Sequence, residues 1–141
     1  MIFLTETDFK KQIRQSVLSQ VIEEDVSHLY NAELEVIEEI EGYLRSRFDV
    51  AQIWNKIGAN RNALIVMYAV DMILYHLHSR ISPGQIPEIR VIRFDSAISY
   101  FKAVQKGTIS PNLPLIDISS QAGNNENTGK FAIGSDKRRR N

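Results

Sequence analysis

Apolar residues recur along this chain at helical rather than strand spacing. In "TETDFKKQIRQSVLSQV", Phe9, Ile13, Val17 and Leu18 fall near one face, with Lys10, Lys11 and Arg14 left to solvent. Thr5 or Thr7 can cap this short helix, and Asp8 sits in its first turn. In "DVSHLYNAELEVIEEIEGYLRSRFD", the spacing of Leu29, Val36, Ile40, Tyr43 and Leu44 predicts a long helix over Ser27–Arg47, widened by Ile37 and Phe48. Asp25 or Ser27 is its candidate N-cap. Arg45 and Arg47 lie at the end where the helix dipole favours cations. Gly42 costs about 1 kcal/mol against Ala inside a helix, and a close helix crossing would account for it.

The third stretch, "ALIVMYAVDMILYHLHSR", is apolar nearly all round and predicts a helix over Arg61–Ser79 with Asn60 as N-cap. Its uninterrupted apolar run, Ala63 to Val70, is far below the roughly 20 residues that span a bilayer. Asp71 would lie near mid-membrane. The helix therefore reads as the core of a soluble bundle, buried on several sides. "ISPGQIPE" supplies a turn, and Pro87 suits the start of a last helix over Pro87–Lys106. Phe94, Ala97, Ile98, Phe101 and Val104 or Gln105 form its apolar face, and Gly107 stops it. "TISPNLPLID" reads as extended and "SSQAGNNENTG" as a polar linker. "KFAIGSDKRRRN" alternates at Phe131 and Ile133 before a basic end. The expected fold is all-α: a small bundle of about four helices over residues 1–116, with an extended, flexible C-terminal arm over 117–141.

Charge and composition narrow the chemistry. Lys+Arg and Asp+Glu both number 17, so the chain as a whole is not a basic nucleic-acid binder. There is no cysteine, which excludes disulfides and thiolate-ligated metals. The N-terminus lacks a basic n-region and a long apolar run, so no signal peptide is expected. The charge is unevenly placed. Glu23, Glu24, Asp25, Glu33, Glu35, Glu38, Glu39 and Glu41 make one segment acidic, and Lys137, Arg138, Arg139 and Arg140 make the end basic. The glutamates read as a solvated helix face, or as one that meets a neighbouring subunit.

No catalytic constellation stands out. There is no Gly-rich phosphate loop and no G-x-S-x-G, and no serine has a fitting His and Asp order. Asp71, Tyr75 and His78 share a helical face, but His76 points elsewhere, so a metal site is not expected. Asp71 reads as a buried acid bonded to a neighbouring helix, through Arg90, Arg93 or a backbone amide. His28 reads as a surface residue. No enzyme activity and no cofactor are expected. The basic terminus fits a solvated tail, a protein contact or a phosphate contact.

The order of segments carries a resemblance. "AELEVIEEIEGYLRSRFDV", with its Y-L-x-x-R-[YF] ending, resembles a helix of small tailed-phage and prophage proteins. "YAVDMILYHLHSR" resembles their second core helix. "PEIRVIRFDSAISYFKAVQKGTISPNLP" resembles their third, with its K-G-x-[IL] stop. The matched residues include Tyr43, Leu44, Arg47, Phe48, Asp71, Tyr75, Pro87, Glu88, Phe94, Ala97, Ile98, Tyr100, Phe101, Lys106 and Gly107. These are the head–tail connector, or head-completion adaptor, proteins, including a Mu-like prophage subfamily. The resemblance runs over about Ser27 to Leu115. "AQIWNKIGANRN" departs from the family, having Trp54 where a proline-led stretch is expected.

The resemblance implies a structural virion protein at the head–tail interface. Its partners would be the portal protein, tail or further connector proteins, and neighbouring copies in a dodecameric ring. DNA would pass through the channel without sequence-specific binding, and no membrane would be involved. Trp54, Lys130, Phe131, Ile133, Lys137, Arg138, Arg139 and Arg140 are the candidate contacts with portal or neighbour. Tyr43, Leu44, Asp71, Tyr75, Phe94, Ile98 and Phe101 are the candidate core. The competing reading is a small helical regulatory or nucleic-acid-binding adaptor that uses the basic tail.

Overall fold

Three helices of 19 residues each carry the fold of the computed structural model, which describes residues 1–117. In chain order the α-helices are α1 (Glu6–Lys10), α2 (Gln15–Val21), α3 (Val26–Leu44), α4 (Val50–Asn55), α5 (Ala63–Ile81) and α6 (Glu88–Lys106). A short 3-10 turn, Gly58–Asn60, leads into α5. The described chain is all-α; its extended part makes one antiparallel bridge, Phe48 to Leu115. The arm expected over 117–141 lies, after Asp117, outside the described residues.

The central helix is α5. It packs against both α3 and α6, and α1 and α2 cover it further. Ile65, Ala69, Val70, Met72, Ile73, Leu74 and Leu77 are all buried. That explains a stretch apolar nearly all round: along its middle the helix meets other elements on several sides. No helix among the described residues is long and apolar enough to cross a membrane.

Local chemistry sets the helix ends, at times a residue or two from their expected places. Asp25 caps α3 by accepting from the Ser27 N–H at 2.9 Å. Asn62, not Asn60, caps α5, accepting from the Leu64 and Ile65 N–H groups. Pro87 stands just outside α6 as its N-cap. Gly107 adopts φ +84°, and the Thr108 N–H reaches back to the Ala103 carbonyl at 2.9 Å, closing the helix.

Three expectations change in the folded chain. The first predicted helix is two helices, broken over residues 11–14. A continuous helix would have buried Val17 with Phe9. The break instead turns Leu18, Val21 and Ile22 inward and leaves Val17 exposed. The Gln12 carbonyl inside the break accepts from Arg90 Nη2 at 2.9 Å. The stretch around Trp54, where the resembled family led one to expect a proline-led segment, is mostly helical, with Asp49 capping α4. Gly42 does not serve a close crossing: a Cβ there would meet nothing within 4 Å.

Candidate functional site

Two buried acids organise the polar interior near the N-terminus. The Glu33 side chain is 1 % exposed. Its carboxylate accepts from the backbone N–H groups of Ile2 (2.6 Å), Phe3 (3.1 Å) and Leu4 (2.8 Å). Three converging amides take the place of a cation, since a buried carboxylate must have its acceptor sites filled. Glu33 is therefore not part of the solvated glutamate face expected from the sequence. The second acid is Asp8. Arg61 grips it with Nη1 at 2.6 Å and Nη2 at 3.1 Å, and Arg61 Nη1 also donates to the Phe3 carbonyl at 3.0 Å. Burial pushes the Asp8 carboxyl up, but hydrogen bonds from Arg61 and the Thr5 N–H outweigh it and hold the group below the usual carboxylate range.

These contacts form a clasp. Residues 2–4 are pinned to α3 by Glu33, and α1 is pinned to the start of α5 by the Asp8–Arg61 pair. Trp54 belongs to the same assembly. The ring is 9 % exposed and meets Phe3 edge-on at 5.0 Å. As a residue expected to face a partner, Trp54 is corrected by its burial, which follows from Phe3 being held against it. Its indole N–H finds no acceptor among the described residues.

The expected core residues lie together on the other side of α5. Asp71 is buried and accepts from Arg93 Nε at 2.8 Å, joining α5 to α6. Arg90 lies in the same field; burial lowers its affinity for the proton, Asp71 raises it, and Arg93 lowers it. Tyr75 stacks on Phe94 at 4.1 Å, and Tyr43 on Phe101 at 6.1 Å. Leu44 and Phe101 are fully buried, whereas Tyr43, Tyr75, Phe94 and Ile98 are half-buried. Tyr68 and Tyr100 extend the ring cluster at 4.7 Å; burial first, then the neighbouring Tyr68, raises the Tyr100 phenol above its usual value. His76 points away from Asp71 toward Glu39, 3.3 Å away. His28 is half-buried near Asp25. Lys130, Phe131, Ile133, Lys137, Arg138, Arg139 and Arg140 lie outside the described residues.

The arrangement offers surfaces rather than a reaction centre. Among the described residues, no group of three or more His, Cys, Asp or Glu is placed to hold a metal ion. Two hollows open at the clasp. One, of about 450 Å³, is bounded by Ile53, Lys56, Asn60, Arg61, Asn112 and Leu113. Another, of about 370 Å³, lies on the far side of the 58–61 turn, with Lys11, Gln12 and Met67.

A family model described as "Bacteriophage Mu, Gp36" matches residues 2–130. The chain belongs to that family. It is a phage protein of the Mu-like group, as the segment order had implied. The family's span is wider than the resemblance over Ser27 to Leu115. It takes in the whole clasp at one end and reaches residue 130 at the other, beyond Leu115, where the resemblance ended. No curated protein matches the chain, and no solved structure does.

The clasp is what sequence reasoning missed. Its signals were present but mute. Asp8 was visible as a first-turn acid, and Glu33 was one of eight acids in one segment. Asp8 has a fixed-spacing partner only in the Thr5 cap, while Arg61 lies 53 residues away and Glu33 is bonded to main chain.

Proposed function

We propose that this protein is a structural virion component, a head–tail connector that docks on the portal ring and extends the DNA channel. In this reading copies sit side by side in a ring, and the assembled ring presents the attachment surface for the tail. The single observation that carries it is membership of the Mu Gp36 family over residues 2–130, joined to the connector-like order of helices. The fold is consistent with it. The α3, α5 and α6 helices pack on one another, while α3 and α6 keep open faces that carry exposed apolar residues.

A connector must let DNA slide, so the lumen face is neutral or acidic and carries few Lys or Arg side chains. The C-terminal arm supplies part of the docking energy. Lys130 to Ile133 add as a strand or a plug to the portal or to a neighbour, with the 137–140 basic cluster beside them. Removing residues 119–141 then leaves the bundle folded and abolishes docking. In this reading the protein has no catalytic activity of its own.

The test is the mass of the protein in solution, alone and after mixing with the portal encoded nearest to it. A ring that forms on the portal is the expected outcome. Absence of portal association, with salt-dependent binding to duplex DNA instead, would overturn the reading in favour of a nucleic-acid adaptor.

A further inference from the structure

The connector reading requires neighbouring copies to touch, and two unlike surfaces of the described chain are suited to each other. The first is the outer side of α3. Val26, Tyr30 and Leu34 follow one another at intervals of four residues, and each is about half exposed. One helix face holds them in line, since residues four apart are neighbours there. Around them the helix is acidic. Glu35, Glu38, Glu39 and Glu41 stand against one arginine, Arg45, which bridges Glu38 at 3.3 Å and Glu41 at 3.2 Å. Glu35 keeps its charge exposed.

The second surface is the turn before α5. Ile57 is 76 % exposed and Leu64 is nearly half exposed. The cations beside it are Lys56, on the wall of the 450 Å³ hollow, and Lys11, on the wall of the 370 Å³ hollow. Arg61 lines both hollows, but Asp8 already neutralises it. Asp8 is the acidic residue in these linings, so the surface has a net positive charge. An aromatic and a leucine standing out on one copy, beside two hollows on the next, is the arrangement in which buried anchors dominate an interface.

We propose that copies of this chain join head to tail: the Val26–Tyr30–Leu34 stripe of one copy seats against the Ile57–Leu64 turn of the next, with α3 glutamates facing Lys11 and Lys56. Two different patches on one molecule make a heterologous contact, the kind that closes into a ring when the rotation fits. Other large apolar residues are exposed as well, among them Ile2, Leu115, Ile89 and Ile92. Ile89 and Ile92 on α6 lie among charges of both signs, Glu88 and Asp95 with the part-buried Arg90 and Arg93, so the net positive turn before α5 is the better match for the acidic helix. The inference rests on the connector reading for its setting but not for its test.

The chain has no cysteine, so single cysteines report contacts cleanly. Full-length Leu34→Cys and Ile57→Cys proteins are mixed under mild oxidation, with and without the portal. The expected result is a one-to-one cross-linked dimer in the mixture, and none from either variant alone. Tyr30→Cys, one turn earlier, is the second probe of the stripe, and circular dichroism checks that each variant folds. The yield should drop at about 0.5 M salt, where charges are screened over a few ångström; a salt-independent yield overturns the charge pairing. Cross-linking of Leu34→Cys with itself overturns the head-to-tail contact in favour of a two-fold one. Pairing of Leu34→Cys with Ile92→Cys in preference to Ile57→Cys overturns the choice of surface, as does the absence of any cross-link in free or portal-bound protein. Portal binding is scored separately by mass. A ring on the portal with the wrong cross-link defeats this inference alone, and the expected cross-link without portal binding defeats the connector reading alone.

Discussion

At the seam between α5 and α6, Tyr75 lies on Phe94, and Phe101 is enclosed by Tyr43, Tyr68 and Tyr100. At the clasp, residues 2–8 are held by Glu33 and by Arg61, with Phe3 and Trp54 filling the space between. The seam draws on apolar area and ring contacts, which tolerate small shifts. The clasp draws on hydrogen bonds to buried charge, which are costly to leave unmade. The seam was visible in the periodicity of the sequence and the clasp was not. A periodic pattern reports which side of a helix is buried, whereas a clasp depends on which distant groups meet there.

The sharpest way to break the contrast is to cut each side. Phe101→Ala should cost about 3–5 kcal/mol, the usual loss for a buried aromatic, measured by denaturant unfolding. Arg61→Met should cost about 3 kcal/mol, because it leaves the Asp8 carboxylate buried without its cation. The same variant should alter the acid limb of stability. The Asp8 carboxyl is held below its ordinary value of 3.8. Its contribution is therefore complete above that value and is lost as pH falls through the lower folded value. Melting curves between pH 5 and about pH 2 should lose that slope in Arg61→Met. An unchanged slope would show that the clasp does not depend on this pair.

Smaller effects sharpen the comparison. Glu33→Gln keeps an oxygen but loses the charge that three N–H groups share, and should cost about 1–3 kcal/mol. Amide exchange at residues 2–4 should speed up accordingly. A variant as stable as the parent would mean that the strap is held by Phe3 and Leu4 alone. Asp71→Asn should cost about 1 kcal/mol, since Arg93 is a third exposed and water can replace part of the bond. It should leave assembly geometry unchanged. Lost assembly with unchanged stability would give Asp71 an interface role in place of a packing one.

Much of the fold was legible. The three long helices, their caps within a residue or two, the glycine stop at Gly107 and the burial of α5 follow from spacing and local chemistry that a few neighbouring residues decide. Asp71 was legible as a buried acid because an acid inside an apolar run has to be paired. The break at residues 11–14 was not, since no proline or glycine marks it; tertiary burial of Leu18, Val21 and Ile22 selects the turn. Trp54 stood among the candidate contacts with portal or neighbour, and Phe3, far away in sequence, packs against it in the fold.

The sequence by itself determined that this chain is helical, which helix lies at the centre, and to which phage family it belongs. Those properties rest on local periodicity and on segment order. Only the tertiary structure decided that one glutamate of an acidic run is buried on backbone amides. It also decided that Arg61 closes on Asp8, and that the exposed apolar stripe of α3 and the basic turn before α5 are separate surfaces. Each of these depends on residues dozens of positions apart arriving at one place, and long-range pairing leaves no period for a sequence to show.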